Sequence, residues 1–486
     1  MTSPQFSPAF HIAGESLRPD REVRIVASPV DGEPTTAVLL GNAADVDLAV
    51  SAARRAQPEV FALGLDERVR LCEQSAQAIE RNAEDVADVL TRVHGKPRHS
   101  EAIGEVLGAA TAFREAGAAA RWMAETHYPL SSPGKRLLTL RRPRGVYGVL
   151  TPWNFPIGLA SIYYLAPGLA MGNSIVWVGA PTTAAAHDAL LAVIEPLWPV
   201  GAVNLVTGDG PVVGQALAGH PGVDAIGFTG STPGGLAVAR TAAGKPIALE
   251  LGGNGPTIVL EDADLELAAS RIASGSFTNA GQICTSTGRV LAHTSVASDL
   301  AEAIAVNASK LVVGGPFDAG TTMGPVHLAD LAERVVTQIS GAVAKGATLV
   351  CGGGRADGPT SQYLQPSVVD RVPADVALHY EETFGPVAPV VHYSSEHELW
   401  DLIRASPFGL HAGVFTSDIE RGLGLAEQLR VGHVNINDTS AYWEWSIPAG
   451  GASGASSGIG RTGGPASVQE MSELLTVTIE ARRRKP

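Results

Sequence analysis

The chain has 486 residues, of which 45% are hydrophobic and 17% charged, so it can form more than one folded domain and is not mainly disordered. Its formal net charge of −14 makes nucleic acid an unfavourable partner, because a phosphate backbone carries the same sign. Cys72, Cys284 and Cys351 lie far apart, which argues against a disulfide framework or a zinc cluster. Because the N-terminus lacks a basic start followed by an apolar core, we expect no signal peptide and a reducing, cytoplasmic location.

The first 125 residues are predicted to be mostly helical. The segments DVDLAVSAARRA and ERVRLCEQSAQAIERNAEDVADVLTRVH place apolar residues at i, i+3, i+4 and i+7. Residues 126–143 then alternate apolar and polar side chains, which predicts an exposed two-stranded ribbon. The edge of such a ribbon needs a partner strand.

Between Arg144 and Asp188 the chain has no Asp, Glu, Lys or Arg, a length that could span a membrane. Because Gly and Pro interrupt this stretch repeatedly, we predict buried strands and turns and no membrane partner. The apolar runs GVYGVLTP, NSIVWVG, GAVNLVTG and VDAIGFTG recur with helical patterns between them. This rhythm is typical of a parallel, doubly wound sheet.

A second α/β unit is predicted to begin near residue 252. Its candidate strands are TIVL, RVLAH, ATLVCGG, APVVHY, AGVFT and HVNIN. A Gly/Ser loop over 449–464, a strand-like LLTVTI and a basic tail, ARRRKP, complete the chain. We interpret the tail as a solvated end.

Two glycine-rich turns, 208–214 and 230–235, each follow a predicted strand and precede a helical pattern. A helix N-terminus has unpaired N–H groups and a positive dipole end, so either turn could hold a pyrophosphate. Each could equally be a plain structural turn.

Three side chains could carry chemistry. Cys284, among small polar residues, is either a thiolate nucleophile or an inert buried cysteine. Glu250 follows an apolar strand, so it is either a desolvated general base or a structurally paired acid. Asn154 could donate to an oxyanion or form a turn. The 13 histidines show no paired-ligand spacing, so no metal site is predicted.

Five motifs occur in register along the chain: TPWNFP, FTGST, LELGGN, NAGQIC and EETFGPV. With them, the chain from about residue 20 to 480 resembles the NAD(P)-dependent aldehyde dehydrogenase superfamily. The resemblance implies an α/β fold with a Rossmann-type cofactor domain, an α/β catalytic domain and a small β oligomerisation ribbon that builds a homodimer or homotetramer. The expected ranges are 1–125 and 144–251 for the cofactor domain, 252–464 for the catalytic domain, and 126–143 with 465–486 for the oligomerisation segment.

The resemblance also implies roles for single residues. Cys284 would attack the aldehyde, Asn154 and the backbone N–H of Cys284 would form the oxyanion hole, and Glu250 would activate the water that hydrolyses the thioester. The implied cofactor-binding residues are Pro152, Trp153, Gly230, Ser231, Glu382 and Phe384.

The sequence departs from the family pattern in two loops. Val178 and Pro181 replace the Lys and Glu that usually contact the adenosine ribose. Without a cation near the ribose 2′ position, we expect NAD as the cofactor, with NADP possible. The usual Pro-Phe-Gly-Gly loop has Ala449 for Phe and two additional residues, so we expect a looser or reshaped loop.

The segment NDTSAYWEWSIP lacks the Arg that often recruits an anionic substrate in semialdehyde and lactaldehyde relatives. Aromatic walls favour an apolar or aromatic aldehyde, and Glu444 would repel a carboxylate. The expected pocket residues are Tyr163 or Tyr164, Ile283, Thr285, Tyr442, Trp443 and Trp445. Four alternatives stay open: packing of these aromatics at a subunit interface, a small polar aldehyde as substrate, acyl transfer to coenzyme A, and a non-catalytic member with impaired cofactor binding. A retained Glu250 speaks against the last two.

Overall fold

The computed structural model describes residues 3–123, 126–132 and 134–480. This part of the chain forms 20 strands and 15 α-helices. The strands are β1 (Phe10–Ile12), β2 (Glu15–Leu17), β3 (Val23–Ala27), β4 (Pro34–Leu39), β5 (Thr126–Tyr128), β6 (Lys135–Pro143), β7 (Val146–Thr151), β8 (Ser174–Gly179), β9 (Val203–Leu205), β10 (Ala225–Thr229), β11 (Ile247–Glu250), β12 (Pro256–Val259), β13 (Arg289–His293), β14 (Thr348–Cys351), β15 (Ser367–Asp370), β16 (Val387–Tyr393), β17 (His411–Phe415), β18 (His433–Ile436), β19 (Gly458–Ile459) and β20 (Ser472–Glu480). The helices are α1 (Ala43–Ala62), α2 (Gly64–Arg81), α3 (Ala83–His94), α4 (Ile103–Arg121), α5 (Ala166–Ala170), α6 (Ala184–Ile194), α7 (Gln215–Gly219), α8 (Thr232–Thr241), α9 (Leu265–Phe277), α10 (Ala297–Ala308), α11 (Ala329–Ala344), α12 (Ala377–Tyr380), α13 (Glu396–Arg404), α14 (Ile419–Gln428) and α15 (Gly464–Glu470).

The first large sheet has eight strands in the order β19-β11-β10-β7-β8-β9-β1-β2. Its five central strands, β11 to β9, are parallel, and every residue of β7 and β8 is buried. These strands contain the four apolar runs predicted for the first α/β unit. From β7 the chain builds outward through β8 and β9, then returns to the other side with β10 and β11. The strand order therefore reverses between β7 and β10.

The second large sheet has seven strands in the order β14-β15-β16-β13-β12-β17-β18, all parallel except β14. The six strands predicted after residue 252 all belong to it. The chain then returns to the first sheet, because β19 pairs with the end of β11. The α/β architecture with two sheets is confirmed, while the predicted domain limits stay a prediction.

The segment 126–143 forms a small third sheet in the order β20-β6-β5. Strand β6 pairs along its whole length with β20, so the predicted ribbon acquires the C-terminal strand as a third member. Leu474 and Ile479 of β20 are exposed. The basic tail, 481–486, lies outside the described residues.

The uncharged stretch between Arg144 and Asp188 forms β7, β8 and α5 in the core, where Trp177 is fully buried. Among the described helices, none combines the length and the apolar character needed to cross a bilayer.

Candidate active site

A cavity of about 280 Å³ opens at the point where the strand order of the first sheet reverses. Ligands of doubly wound sheets bind at this position, outside the carboxyl ends of the strands. The loops after β7, β10 and β11 meet there with two segments of the second α/β unit, one between α9 and β13 and one between α12 and β16. The lining includes all three predicted catalytic residues and all six predicted cofactor residues: Pro152, Trp153, Asn154, Gly230, Ser231, Glu250, Cys284, Glu382 and Phe384.

Cys284 lies in the loop between α9 and β13. Ahead of it, Asn279, Ala280 and Gly281 have φ values of +53°, +51° and +74°, so the chain turns sharply after α9. Only glycine fits at 281, because a Cβ there would lie 2.0 Å from the carbonyl oxygen of Gly385. This close approach joins the segment of the predicted nucleophile to the segment that carries Glu382.

Burial raises the pKa of the Cys284 thiol to about 12, and the carboxyl groups of Glu382 and Glu250 add to the shift. The backbone N–H groups of Cys284 and Thr285 oppose it by hydrogen bonding to the sulfur. The thiol is therefore protonated at neutral pH and needs a base before it can attack a substrate.

Glu250 is the last residue of β11 and is 5% exposed. Burial raises the pKa of its carboxyl to about 8, although the Thr462 hydroxyl and the Arg461 charge act in the opposite direction. The Thr462 hydroxyl donates to Glu250 Oε1 at 3.0 Å. A carboxyl group with this pKa exchanges protons near physiological pH, as a general base must.

Asn154 is buried where the loop after β7 meets the Cys284 loop. Its Nδ2 donates to the carbonyl of Gln282 at 3.0 Å, and Asn279 Nδ2 donates to the carbonyl of Asn154 at 3.2 Å. An amide nitrogen has two hydrogens, so one remains for a ligand beside Cys284. The arrangement can stabilise negative charge on an oxygen bound there.

Glu382 and Phe384 form the side of the cavity that belongs to the second sheet. Glu382 Oε1 accepts a hydrogen bond from the backbone N–H of Gly253 at 2.9 Å, and burial raises the pKa of its carboxyl to about 7. Phe384 has a φ of +59° and meets Trp153 edge-on, with ring centroids 5.7 Å apart. Together the two rings make an apolar wall.

The opposite side of the cavity is the start of α8. Gly230 and Ser231 line it, and Ser231 caps the helix by accepting the N–H of Gly234 at 3.3 Å. The other glycine-rich turn, 208–214, does not line the cavity. Among the described lining residues, the one basic side chain is Arg334.

These features fit a nicotinamide dinucleotide. A helix N-terminus suits its pyrophosphate, a carboxylate suits ribose hydroxyls, and an apolar wall suits a planar ring. Val178, by contrast, is 4% exposed and packs in the apolar cluster of the first sheet. The turn after β8, residues 178–183, therefore carries no cationic side chain.

The predicted substrate residues are only partly together. Burial raises the pKa of the Tyr163 hydroxyl, and the nearby charges of Glu250 and Cys284 add to the shift. Trp443 packs on Tyr163 at 5.8 Å between ring centroids and on Trp445 at 5.7 Å, which gives a continuous aromatic row. Trp445 requires glycine at 108, since a Cβ there would lie 2.2 Å from its ring.

The other predicted pocket residues do not extend this row, although Tyr164 meets Tyr163 edge-on with ring centroids 6.0 Å apart. Tyr164 points into the core, where its hydroxyl bonds Thr229 Oγ1 at 2.7 Å. Tyr442 is 42% exposed and donates to Glu444 Oε1 at 2.7 Å, so it faces outward. Ile283 and Thr285 flank Cys284 and are half-buried.

Sequence reasoning missed Thr462, Gln282 and Arg334. Thr462 and Arg334 belong to segments far along the chain from Cys284, so no local spacing indicates them. Gln282 is two residues before Cys284, but it contacts Asn154 through its backbone carbonyl, which no side-chain pattern indicates. It also missed a buried charge cluster beneath the loops. Glu105 Oε1 accepts the N–H groups of Ile157 and Gly158 at 3.0 and 2.9 Å, and Glu105 is ion-paired with the buried Lys96.

Fold and cavity define the class of this protein: a two-sheet α/β enzyme with thiol, amide and carboxyl side chains in one dinucleotide-type cleft. The model of the aldehyde dehydrogenase family matches residues 18–477, and the chain belongs to that family. The predicted resemblance, and the activity class of an NAD(P)-dependent aldehyde dehydrogenase, are thereby confirmed.

Individual relatives agree over nearly the full length. The chain is 36% identical over 452 residues to benzaldehyde dehydrogenase [NAD(+)] of Pseudomonas putida, covering 92% of this chain and 91% of the relative. It is also 36% identical to 3-sulfolactaldehyde dehydrogenase of the same organism, covering 94% of each chain. The crystal structure of an E. coli NADP-dependent enzyme superposes with a TM-score of 0.94 at 32% identity over 98% of both chains.

Proposed function

We propose that this enzyme oxidises apolar or aromatic aldehydes to carboxylic acids, with NAD as the cofactor. The observation that carries the substrate class is the aromatic row of Tyr163, Trp443 and Trp445, which begins beside Cys284 and Glu250. The row has no basic side chain that could recruit an anionic substrate. An aromatic ring can stack edge-on along such a row.

The chemistry begins with proton transfer from the Cys284 thiol to Glu250, directly or through water. The sulfur then adds to the aldehyde carbon, so that a C–S bond forms and the carbonyl π electrons move to oxygen. The second Nδ2 hydrogen of Asn154 and the Cys284 N–H stabilise this oxyanion. When bound, the nicotinamide ring supplies the acceptor for the hydride that leaves the substrate carbon.

Hydrolysis of the resulting thioester uses Glu250 as the base. Glu250 first releases to solvent the proton that it took from the thiol. It then takes a proton from water while the water oxygen attacks the acyl carbon, and the C–S bond then breaks. The acid leaves, and Cys284 recovers a proton. Burial of Glu250 supports this role, because its raised pKa suits a base that works near neutral pH.

The preference for NAD rests on the turn after β8. An NADP phosphate needs a cation at the ribose 2′ position. Val178 is buried among apolar side chains, and residues 178–183 include no charged group. Since one relative is named for NAD(+) and a structural neighbour for NADP, the comparisons leave this preference open.

The substrate class is likewise open among relatives, because the two relatives named for benzaldehyde and for 3-sulfolactaldehyde are equally similar.

We also propose that the protein forms a homo-oligomer assembled through the exposed strand β20. Analytical ultracentrifugation would test this by measuring the molecular mass in solution. The exposed Leu474 and Ile479 and the free edge of the small sheet support it.

The test is a panel of aldehydes against the purified enzyme, with NAD and NADP offered separately. We expect the highest kcat/KM for benzaldehyde with NAD. We expect Trp443→Ala to lower kcat/KM for benzaldehyde by about tenfold or more, since it removes a ring contact and buried apolar area. Tyr442→Ala is the matched control, because that ring faces solvent.

A higher kcat/KM for succinic semialdehyde than for benzaldehyde would contradict the proposed substrate class. Equal losses in Trp443→Ala and Tyr442→Ala would contradict the role of the aromatic row. Tenfold tighter binding of NADP than of NAD would contradict the interpretation of Val178.

A further inference from the structure

Thr462 is completely buried in the Gly/Ser loop, next to the carboxyl group of Glu250. Its backbone is fixed by two hydrogen bonds with Ala449, from Ala449 N to Thr462 O at 2.7 Å and from Thr462 N to Ala449 O at 2.9 Å. The sequence predicts a looser or reshaped loop here. In the structure Ala449 is 2% exposed and β19 pairs with β11 nearby, so the loop is not loose. The Thr462 hydroxyl therefore has a fixed position.

The same loop closes over Glu250 from the other side. Gly450 has a φ of +151°, and a Cβ at this position would lie 3.1 Å from Glu250 Oε1 and 2.5 Å from the carbonyl of Gly460. Glycine at 450 thus lets two segments of the loop enclose one carboxyl oxygen. Among the described residues, Thr462 is the one whose side chain donates a hydrogen bond to the Glu250 carboxyl group.

We propose that Thr462 is a positioning residue for Glu250: its hydroxyl holds Oε1 so that the carboxyl group faces the cavity as an ionisable base. The proposal rests on the proposed function, in which Glu250 deprotonates the thiol and the hydrolytic water. A hydroxyl that donates to a carboxylate favours the charged form. The hydrogen bond therefore sets both the direction and the ionisation of the base.

Other groups act on the same carboxyl. Arg461 stabilises its charge, while Cys284, Tyr163 and Tyr164 lie close enough to be affected by it. Arg461 donates to the carbonyls of Gly451 and Gly460, so it contributes charge without bonding the carboxyl group. Tyr163 also has a side-chain hydrogen bond with Thr462, so loss of the Thr462 hydroxyl removes a partner from Tyr163 as well as from Glu250.

The experiment compares Thr462→Val, which keeps the shape but removes the hydroxyl, with Thr462→Ser, which keeps the hydroxyl. The pH dependence of kcat is measured for both, for the wild type and for Glu250→Gln. We expect Thr462→Val to move the ascending limb of the kcat–pH profile about one pH unit upward. At pH values below that limb, the shift corresponds to about a tenfold lower kcat. Thr462→Ser should restore the wild-type limb.

A second readout does not require turnover. The rate at which iodoacetamide alkylates Cys284 depends on the charge of Glu250. In a plot of this rate against pH, the inflection that is absent from Glu250→Gln belongs to Glu250 rather than to Glu382. We expect Thr462→Val to move that inflection upward by the same amount. In the Glu250→Gln background, Thr462→Val should have no further effect on the profile.

Superposable profiles of Thr462→Val and the wild type would overturn the inference, as would an equal shift in Thr462→Ser. The proposed function fails separately, if the wild type oxidises no aldehyde or if Glu250→Gln keeps the wild-type rate. In that case the alkylation profiles still decide whether Thr462 sets the ionisation of Glu250.

Discussion

At the scale of single residues, the site combines two acids that burial keeps protonated. Both the Cys284 thiol and the Glu250 carboxyl have raised pKa values, of about 12 and about 8. The lower pKa belongs to the carboxyl, so Glu250 loses its proton first as the pH rises. Only then can it accept the proton of the thiol or of water.

This order predicts the pH dependence of the reaction. The base acts when ionised, and its pKa is raised, so kcat should rise as the pH increases through about 8. Glu250→Gln is close in shape but cannot accept a proton, so its kcat should be low and flat from pH 6 to pH 9.5. Steady-state rates with benzaldehyde and NAD measure both profiles.

Glu382→Gln is the control for that experiment, since Glu382 also carries a raised pKa and lines the same cavity. It should weaken cofactor binding yet keep the ascending limb. An unchanged limb in Glu250→Gln would assign the titration to another group.

The sequence predicted which residues meet in the cavity but not how they are held. Five motifs in register identify Cys284, Glu250 and Asn154. No pattern indicates that Thr462 bonds Glu250, or that Tyr164 points into the core while Tyr163 faces the site. Those facts depend on packing between segments hundreds of residues apart, which local periodicity does not encode.

At the scale of elements, buried charges tie α4 to the loops of the site. Glu105 in α4 holds the N–H groups that begin the helical segment after Asn154, and Glu101 Oε1 accepts the N–H of Asn279 at 2.8 Å. Lys96 is 2% exposed and pairs with Glu105. This cluster supports both sides of the proposed oxyanion hole from below.

Replacing Lys96 by Met should therefore destabilise the fold. The change leaves Glu105 as an uncompensated charge in the core, which costs about 3–5 kcal/mol of unfolding free energy. Urea denaturation measures the loss. Lys96→Met combined with Glu105→Gln is the control and should recover part of the stability, because the stranded charge is gone.

Equal stability of Lys96→Met and the wild type would show that the buried pair contributes nothing. A double variant less stable than the single variant would show that Glu105 acts through its backbone hydrogen bonds more than through its charge.

The sequence predicts most strands of the two large sheets correctly, because buried parallel strands appear as short apolar runs between turns. The ribbon was predicted as two strands and has three. Its third strand, β20, comes from the other end of the chain, and pairing over that distance leaves no local signal.

At the scale of the whole molecule, the two large sheets meet around one cavity that holds the predicted nucleophile, base and oxyanion donor. In the proposed mechanism, the order reversal between β7 and β10 provides the cofactor side, and the Cys284 loop provides the reacting side. Chain segments from both sheets must come together before any of this chemistry is possible. We therefore expect Cys284 to become acylated by the substrate during turnover.

The most direct measurement is the mass of the intact wild-type enzyme, quenched in acid within its first turnover of benzaldehyde with NAD. Because the acyl group stays on the sulfur between hydride transfer and hydrolysis, we predict one benzoyl group on the peptide that contains Cys284, with one equivalent of NADH formed for each acylated chain. Cys284→Ala should form neither. NADH release without an acylated Cys284, or the same adduct in Cys284→Ala, would show that Cys284 is not the nucleophile.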